Sequence, residues 1–276
     1  MVFPAGAAAL RGCRNGVSGT RAVNKAVLAS TLNGVLTVTI NRPDKLNALS
    51  RDALAALKAI FEGHASDASL HFAVLRGAGD KYFAAGGDLH DLGKYRDLDG
   101  ARLLHDEGTA ALDAVRRFPV PVIAALNGNA IGGGAELALA CDLRIAAAHA
   151  KIGFIHGKLN IAPAWGGGID LMRVLGPAKA LLAMAGAFLY GADEAIELGL
   201  IAERANDGET LEALIERFTA PLKKQAPQVM RAIKALAIAG REGKSRADQL
   251  AEDREKFALT WAHDDHWLVA DKLLAK

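Results

Sequence analysis

The sequence predicts an α/β fold with a helical C-terminal region, and three observations carry that prediction. Short apolar runs alternate with amphipathic stretches from about residue 26 to 199, and strands alternating with helices fold as right-handed βαβ units. Two glycine-rich turns, Ala84-Ala85-Gly86-Gly87-Asp88 and Gly128 to Glu136, each follow an apolar run and precede a helix. Beyond residue 200 the strand signal fades and helical periodicity takes over.

The chain of 276 residues is 51% hydrophobic and 23% charged, with a formal net charge of +2. That length allows one large domain, or one with an appendage. The composition excludes a disordered chain, and the small net charge argues against a protein built to neutralise nucleic-acid phosphates. Cys13 and Cys141 make neither a disulfide scaffold nor a zinc site, and they suit a reducing, cytoplasmic setting. The apolar stretch Val120 to Ala148 is broken by Asn127, Asn129, Glu136, Asp142 and Arg144, so it reads as buried core rather than a membrane span. No acidic residue occurs before Asp44, while Arg11, Arg14, Arg21 and Lys25 are spread among Ala, Gly and Ser. This composition fits a mitochondrial transit peptide or a plain extension, the second being preferred, and residues 1–25 are expected to be a disordered tail.

Ala26 to Leu32, the Asn33-Gly34 turn and Val35 to Ile40 predict a β-hairpin, stopped by Pro43. Ser50 caps a helix whose Leu54, Leu57 and Ile60 share a face. Phe72 to Leu75 predicts a buried parallel strand ending in the loop Gly77 to Asp80. A helix over Ala101 to Phe118, a strand over Val120 to Leu126, a helix over Gly133 to Ala140 and a strand over Asp142 to Ala147 follow. After Pro163, helices are expected over Gly166–Leu175, Ala178–Ala185, Ala192–Leu198, Leu211–Ala220, Val229–Ala239 and Arg246–Thr260. The division is therefore a tail over 1–25, a core over 26–199 and a helical region over 200–276.

Neither glycine-rich turn matches the dinucleotide or triphosphate patterns. Each alone reads as a tight turn beside a packed helix. Together they offer free backbone N–H groups from two places, the makings of an oxyanion site. Glu136 lies one turn into the second helix among Ala135, Leu137, Ala138 and Leu139. Apolar surroundings disfavour a carboxylate's ionised form, which suits general acid–base work beside such a turn.

Three segments resemble the crotonase (enoyl-CoA hydratase/isomerase) superfamily: Asn41-Arg42-Pro43-Asp44-Lys45-Leu46-Asn47-Ala48-Leu49, Phe83-Ala84-Ala85-Gly86-Gly87-Asp88-Leu89, and Asn127 through Gly132-Gly133-Gly134-Ala135-Glu136-Leu137 to Cys141-Asp142. The resemblance implies a spiral of ββα units with C-terminal helices, assembled as a homotrimer or hexamer. It implies an acyl-CoA thioester substrate and no separate cofactor. The N–H groups of Gly87 and Gly133 match the oxyanion pair that holds a thioester enolate. Lys45, Leu46, Ala48, Ala85 and Asp88 match the segments that lie along CoA, and Glu136 matches one of two glutamates that hydratases use to hold water.

His156 stands where the second glutamate is expected. The stretch Lys151 to His156, with Pro163-Ala164-Trp165-Gly166-Gly167, is similar to the ethylmalonyl-CoA decarboxylase branch. Decarboxylation of a 2-carboxyacyl-CoA leaves an enolate, and an imidazole does not repel the substrate carboxylate as a second glutamate would. The alternatives are a 2-enoyl-CoA hydratase or isomerase and, in another class, a non-catalytic CoA- or RNA-binding member. His263-Asp264-Asp265-His266 reads as the capped start of a last helix rather than a metal site. Trp165 is placed to wall the acyl pocket, though an aromatic beside a Gly-Gly turn is more often simple packing. His105 is as consistent with an exposed face as with the pocket, and Lys272 and Lys276 either meet CoA phosphates or are solvated.

Overall fold

The computed structural model describes residues 21–275, so the start of the basic tail and Lys276 lie outside the described residues. β1 (Arg21–Asn24), β2 (Val27–Leu32) and β3 (Val35–Ile40) open the larger sheet as an antiparallel meander. Asn33 (φ 49°) and Gly34 (φ 74°) make the anticipated tight turn. From here the chain lays one strand in each of two sheets in turn. β4 (Phe72–Gly77) is followed by β5 (Tyr82–Ala84), β6 (Val122–Leu126) by β7 (Asn129–Ile131), and β8 (Leu143–Ala146) by β9 (Lys151–Gly153). β10 (Tyr190–Gly191) and β11 (Glu203–Arg204) close the smaller and larger sheets respectively. The orders are β1-β2-β3-β4-β6-β8-β11 and β10-β9-β7-β5, parallel from β3 to β11 and from β9 to β5. The result is the spiral of ββα units that the resemblance implies.

Helices fill the gaps between strands: α1 (Arg51–His64), the short α2 (Leu89–Leu92), α3 (Leu98–Arg116), α4 (Gly133–Ala140), α5 (Gly167–Leu175), α6 (Pro177–Ala185) and α7 (Ala192–Leu198). Then come α8 (Leu211–Thr219), α9 (Pro227–Arg241), α10 (Arg246–Trp261) and α11 (Asp264–Leu274). Leu36 and Val38 of β3 pack on Leu57 and Phe61 of α1, Leu112 of α3 and Leu137 of α4 in one core. Phe61 meets Phe118 edge-on at 5.1 Å. On the opposite face Phe72, Val74, Ile123, Ala125 and Ile145 meet Leu211 and Leu214 of α8. β4 and β6 are thus covered on both faces, which is why they read as unbroken apolar runs.

Two boundaries differ from the sequence expectation. Strand β1 occupies Arg21–Asn24, within the expected tail, because its backbone finds the free edge of β2. β11, beyond residue 200, still belongs to the sheet, pairing parallel with β8 through only two residues. α9 is fastened to the core by charge: the buried Lys234 ammonium donates to both Asp142 oxygens at 2.5 Å, and Arg241 donates to the Ala140 carbonyl at 2.9 Å. By contrast α10 and α11 bury no side chain. His263 caps α11, its side chain accepting from Asp265 N. No helix among the described residues is long and apolar enough to cross a membrane.

Candidate active site

The two glycine turns leave neighbouring parallel strands of the smaller sheet, β5 and β7. Adjacent strands run about 4.8 Å apart, which brings the two turns side by side. On the β5 side, Leu49 N donates to Gly86 O and Asp88 N donates to Leu49 O. The Gly87 N–H between them stands outside that ladder. On the β7 side Gly133 is the first residue of α4 and has no intrahelical acceptor. The turns touch: at Gly86 (φ +100°) a Cβ would lie 3.1 Å from Ile131 O and 3.5 Å from Gly133 N, so only glycine allows the approach.

Glu136, 1% exposed, is not left in an apolar socket. Its Oε2 accepts from Gly167 N at 3.0 Å and its Oε1 from Ala164 N at 3.3 Å. His156, in a 3-10 turn over Ile155–Leu159 just after β9, brings Nε2 to 3.0 Å from the same Oε1. Both carboxylate oxygens already accept backbone N–H groups, so Nε2 donates. Nδ1 of His156 is buried and has no hydrogen-bond partner among the described residues. The ring is anchored next to the second turn, with Gly132 N donating to Gly153 O at 2.9 Å and a Cβ on Gly132 reaching 3.7 Å from Nε2.

Trp165 sits beside both turns, 5% exposed. Sequence reasoning gave no role to two arginines that brace the loops of the site. Arg116 donates to Trp165 O and to Asp170 Oδ2, both at 2.8 Å. These two partners lie some fifty residues away in sequence, and its near partner Asp113, at 2.8 Å, makes only an ordinary helical i,i+3 pair. Arg42 is the other: it donates to Asp88 Oδ2 at 2.8 Å and to Ala48 O.

Of the residues matched to the CoA segments, Lys45 and Leu46 are exposed, and Leu46 O accepts from Ala85 N at 3.1 Å, which joins the two segments. Asp88 is different. Its side chain is buried, capping α2 through His90 N and pairing with Arg42. Burial alone would push the Asp88 carboxyl up. The hydrogen bond and charge of Arg42, with the N–H groups of Asp91 and His90, outweigh it and hold the carboxyl below the usual carboxylate range. His105 is exposed and meets Asp106, Lys272 is exposed, and burial pushes the Cys141 thiol up to about 12.

The Asp88 shift has a stability consequence. The group binds its proton less readily folded than unfolded, where its pKa is about 3.9. Its contribution is therefore complete above that value and is lost as pH falls through the lower folded value. Asp88→Asn is expected to lower Tm at pH 7 and to flatten the fall of Tm below about pH 4. Thermal melts from pH 7 to pH 3 check this; an acid limb identical to the parent's would contradict it.

Strands laid alternately in two sheets, with two glycine turns meeting above the smaller one, define a crotonase-type fold. The solved enoyl-CoA hydratase of Bacillus anthracis superposes with a TM-score of 0.82 at 29% identity, covering 90% of this chain and 96% of that one. The chain belongs to the enoyl-CoA hydratase/isomerase family, whose sequence profile matches residues 30–268. It is similar to the crotonyl-CoA hydratase of Syntrophomonas wolfei, 34% identical over 227 residues, with 82% of this chain and 86% of that protein covered. It is also similar to the ethylmalonyl-CoA decarboxylase of Xenopus tropicalis, 30% identical over 232 residues, with 83% and 76% covered.

Proposed function

We propose that the protein binds a small 2-carboxyacyl-CoA of the ethylmalonyl or methylmalonyl type and decarboxylates it. The observation that carries this reading is the Glu136–His156 contact of 3.0 Å. Where a hydratase needs two carboxylates to hold water, this site pairs its single carboxylate with an imidazole. Neither Glu136 oxygen is left without a donor.

The thioester carbonyl accepts from the N–H groups of Gly87 and Gly133. The C2–carboxylate bond breaks, CO2 leaves, and its electron pair passes into the thioester as an enolate whose oxygen the two donors stabilise. A proton carried by the Glu136–His156 pair then passes to C2, leaving a neutral imidazole beside the carboxylate, and the pair takes up another from solvent. Lys45, Leu46, Ala48 and Ala85 line the path of CoA, with Asp88 shaping it through Arg42. Assembly as a trimer, or a pair of trimers, accords with the apolar side chains that α10 and α11 leave exposed, Phe257, Leu259, Trp261 and Leu268 among them.

A second reading, 2-enoyl-CoA hydration, is favoured by the retention of Glu136 one turn from Gly133. Mass spectrometry of CoA products in D2O separates the two. Loss of CO2 from ethylmalonyl- and methylmalonyl-CoA, with one deuterium gained at C2 and little water added to crotonyl-CoA, is expected. Rapid hydration of crotonyl-CoA with both malonyl-type thioesters untouched would overturn the decarboxylase reading.

A further inference from the structure

We infer that Trp165 is the residue that ends the acyl pocket and restricts the enzyme to short acyl groups. The inference rests on the acyl-CoA reading of the site and not on which reaction follows.

The indole fits a socket opened by glycine on two helices, with the Gly87 turn, where a Cβ would first meet Leu92 Cδ1 at 2.7 Å, in ordinary contact. A Cβ on Gly108 of α3 would fall 2.1 Å from Nε1, and one on Gly133 of α4 would fall 2.4 Å from Cζ3. One on Gly87 would lie 3.6 Å from Cη2. The ring therefore lies against the main chain of both proposed donors and fills the space from there to α3. His156 and Glu136 stand at the other turn glycine, Gly132. A thioester whose carbonyl sits on the two donors meets the imidazole on one side and the indole on the other.

The ring is also fixed in place. Nε1 donates to Leu104 O at 3.2 Å, and Trp165 O accepts from the buried Arg116, itself paired with Asp170. Ala164 N and Gly167 N, flanking the tryptophan, are both held by Glu136. A longer acyl chain would have to displace the indole. That would break the Leu104 bond and pull on the loop that orients Glu136. A pocket that lacks room for even one methylene discriminates by about 10–200-fold.

The test uses binding without turnover. Calorimetry with CoA, acetyl-, butyryl-, octanoyl- and decanoyl-CoA should give affinity that peaks near butyryl-CoA. In Trp165→Leu the decanoyl-to-butyryl affinity ratio should rise at least about tenfold with CoA itself unchanged. The same chain-length profile in the variant and the parent overturns the inference.

Should Trp165→Leu fail to fold, the Trp261→Phe/Trp267→Phe protein leaves Trp165 as the sole tryptophan of the three. Its emission should change on saturation with butyryl-CoA and not with CoA alone; unchanged emission again overturns the inference. A shifted binding profile in a protein that does not decarboxylate would reject the reaction and keep Trp165 in this role. A decarboxylase with an unshifted profile would do the reverse.

Discussion

Glu136→Gln should lower kcat by about 10²–10⁴-fold, the usual range for a group engaged in proton transfer, while butyryl-CoA affinity stays within about threefold of the parent. The reason lies in the donors around the carboxylate. Gly167 N points at one oxygen, and Ala164 N and His156 Nε2 at the other. A carboxylate accepts on both sides, whereas an amide has one oxygen and one NH2. Whichever way the amide turns, its NH2 faces an N–H that it cannot satisfy. If it turns toward Gly167, a buried backbone donor is orphaned; if toward His156, the imidazole loses the acceptor that fixes its tautomer. An unsatisfied buried donor costs about 1–3 kcal/mol, so a modest fall in Tm accompanies the kinetic loss. Single-turnover kinetics with calorimetric affinity check the split. A loss of affinity with the single-turnover rate unchanged would show Glu136 to be a binding group only.

Gly133→Pro and Gly133→Ala, compared with each other, isolate the second donor. Both add a Cβ, which at this position lies 2.4 Å from the Trp165 ring, so both must displace that ring or the start of α4. Only proline also removes the N–H. The ratio of their kcat values therefore reports the hydrogen bond to the enolate oxygen, and it should be about 10²–10³ in favour of alanine. Circular dichroism and Tm establish that both are folded. Equal activity in the two folded variants would exclude Gly133 N–H as an oxyanion donor.

What the sequence made legible was local. The Asn33-Gly34 turn, the Ser50 cap that accepts from Ala53 N at 3.3 Å, and α4 over Gly133–Ala140 depend on neighbours in the chain, so pattern sufficed. The smaller sheet was not legible. β5, β7 and β9 have three residues each, too few for an alternation to register. They are strands because Tyr82 finds Asn129 and Ala130 finds Ile152 across the spiral.

The site divides in the same way. Glu136 and Gly133 stand in one motif, and their nearness is a matter of helical geometry. His156 stood out only through the family resemblance, since nothing within its own segment announces a partner twenty residues upstream. The groups that restrain Glu136 include two main-chain nitrogens, Ala164 and Gly167, and backbone donors leave no signature in side-chain identity. Asn47 and Asn127 belong to the recognised motifs, yet both spend their amides on Tyr82 O, at 2.7 and 3.0 Å, where β5 begins. Their role is to brace the turn rather than to meet a ligand.

The pairing of β5 with β7 also bears on how such a site can change over time. The nearness of the two turns that carry the proposed donors is inherited from strand pairing, a dimension common to all sheets. Beyond the turn glycines that permit the approach, no side chain writes it. The proposed apparatus for steadying a negative oxygen is thereby uncoupled from the groups proposed to decide what happens next, positions 136, 156 and 165 here. Lineages built on this scaffold can exchange those few residues and acquire a new reaction without rebuilding the part of the machine that is hardest to assemble.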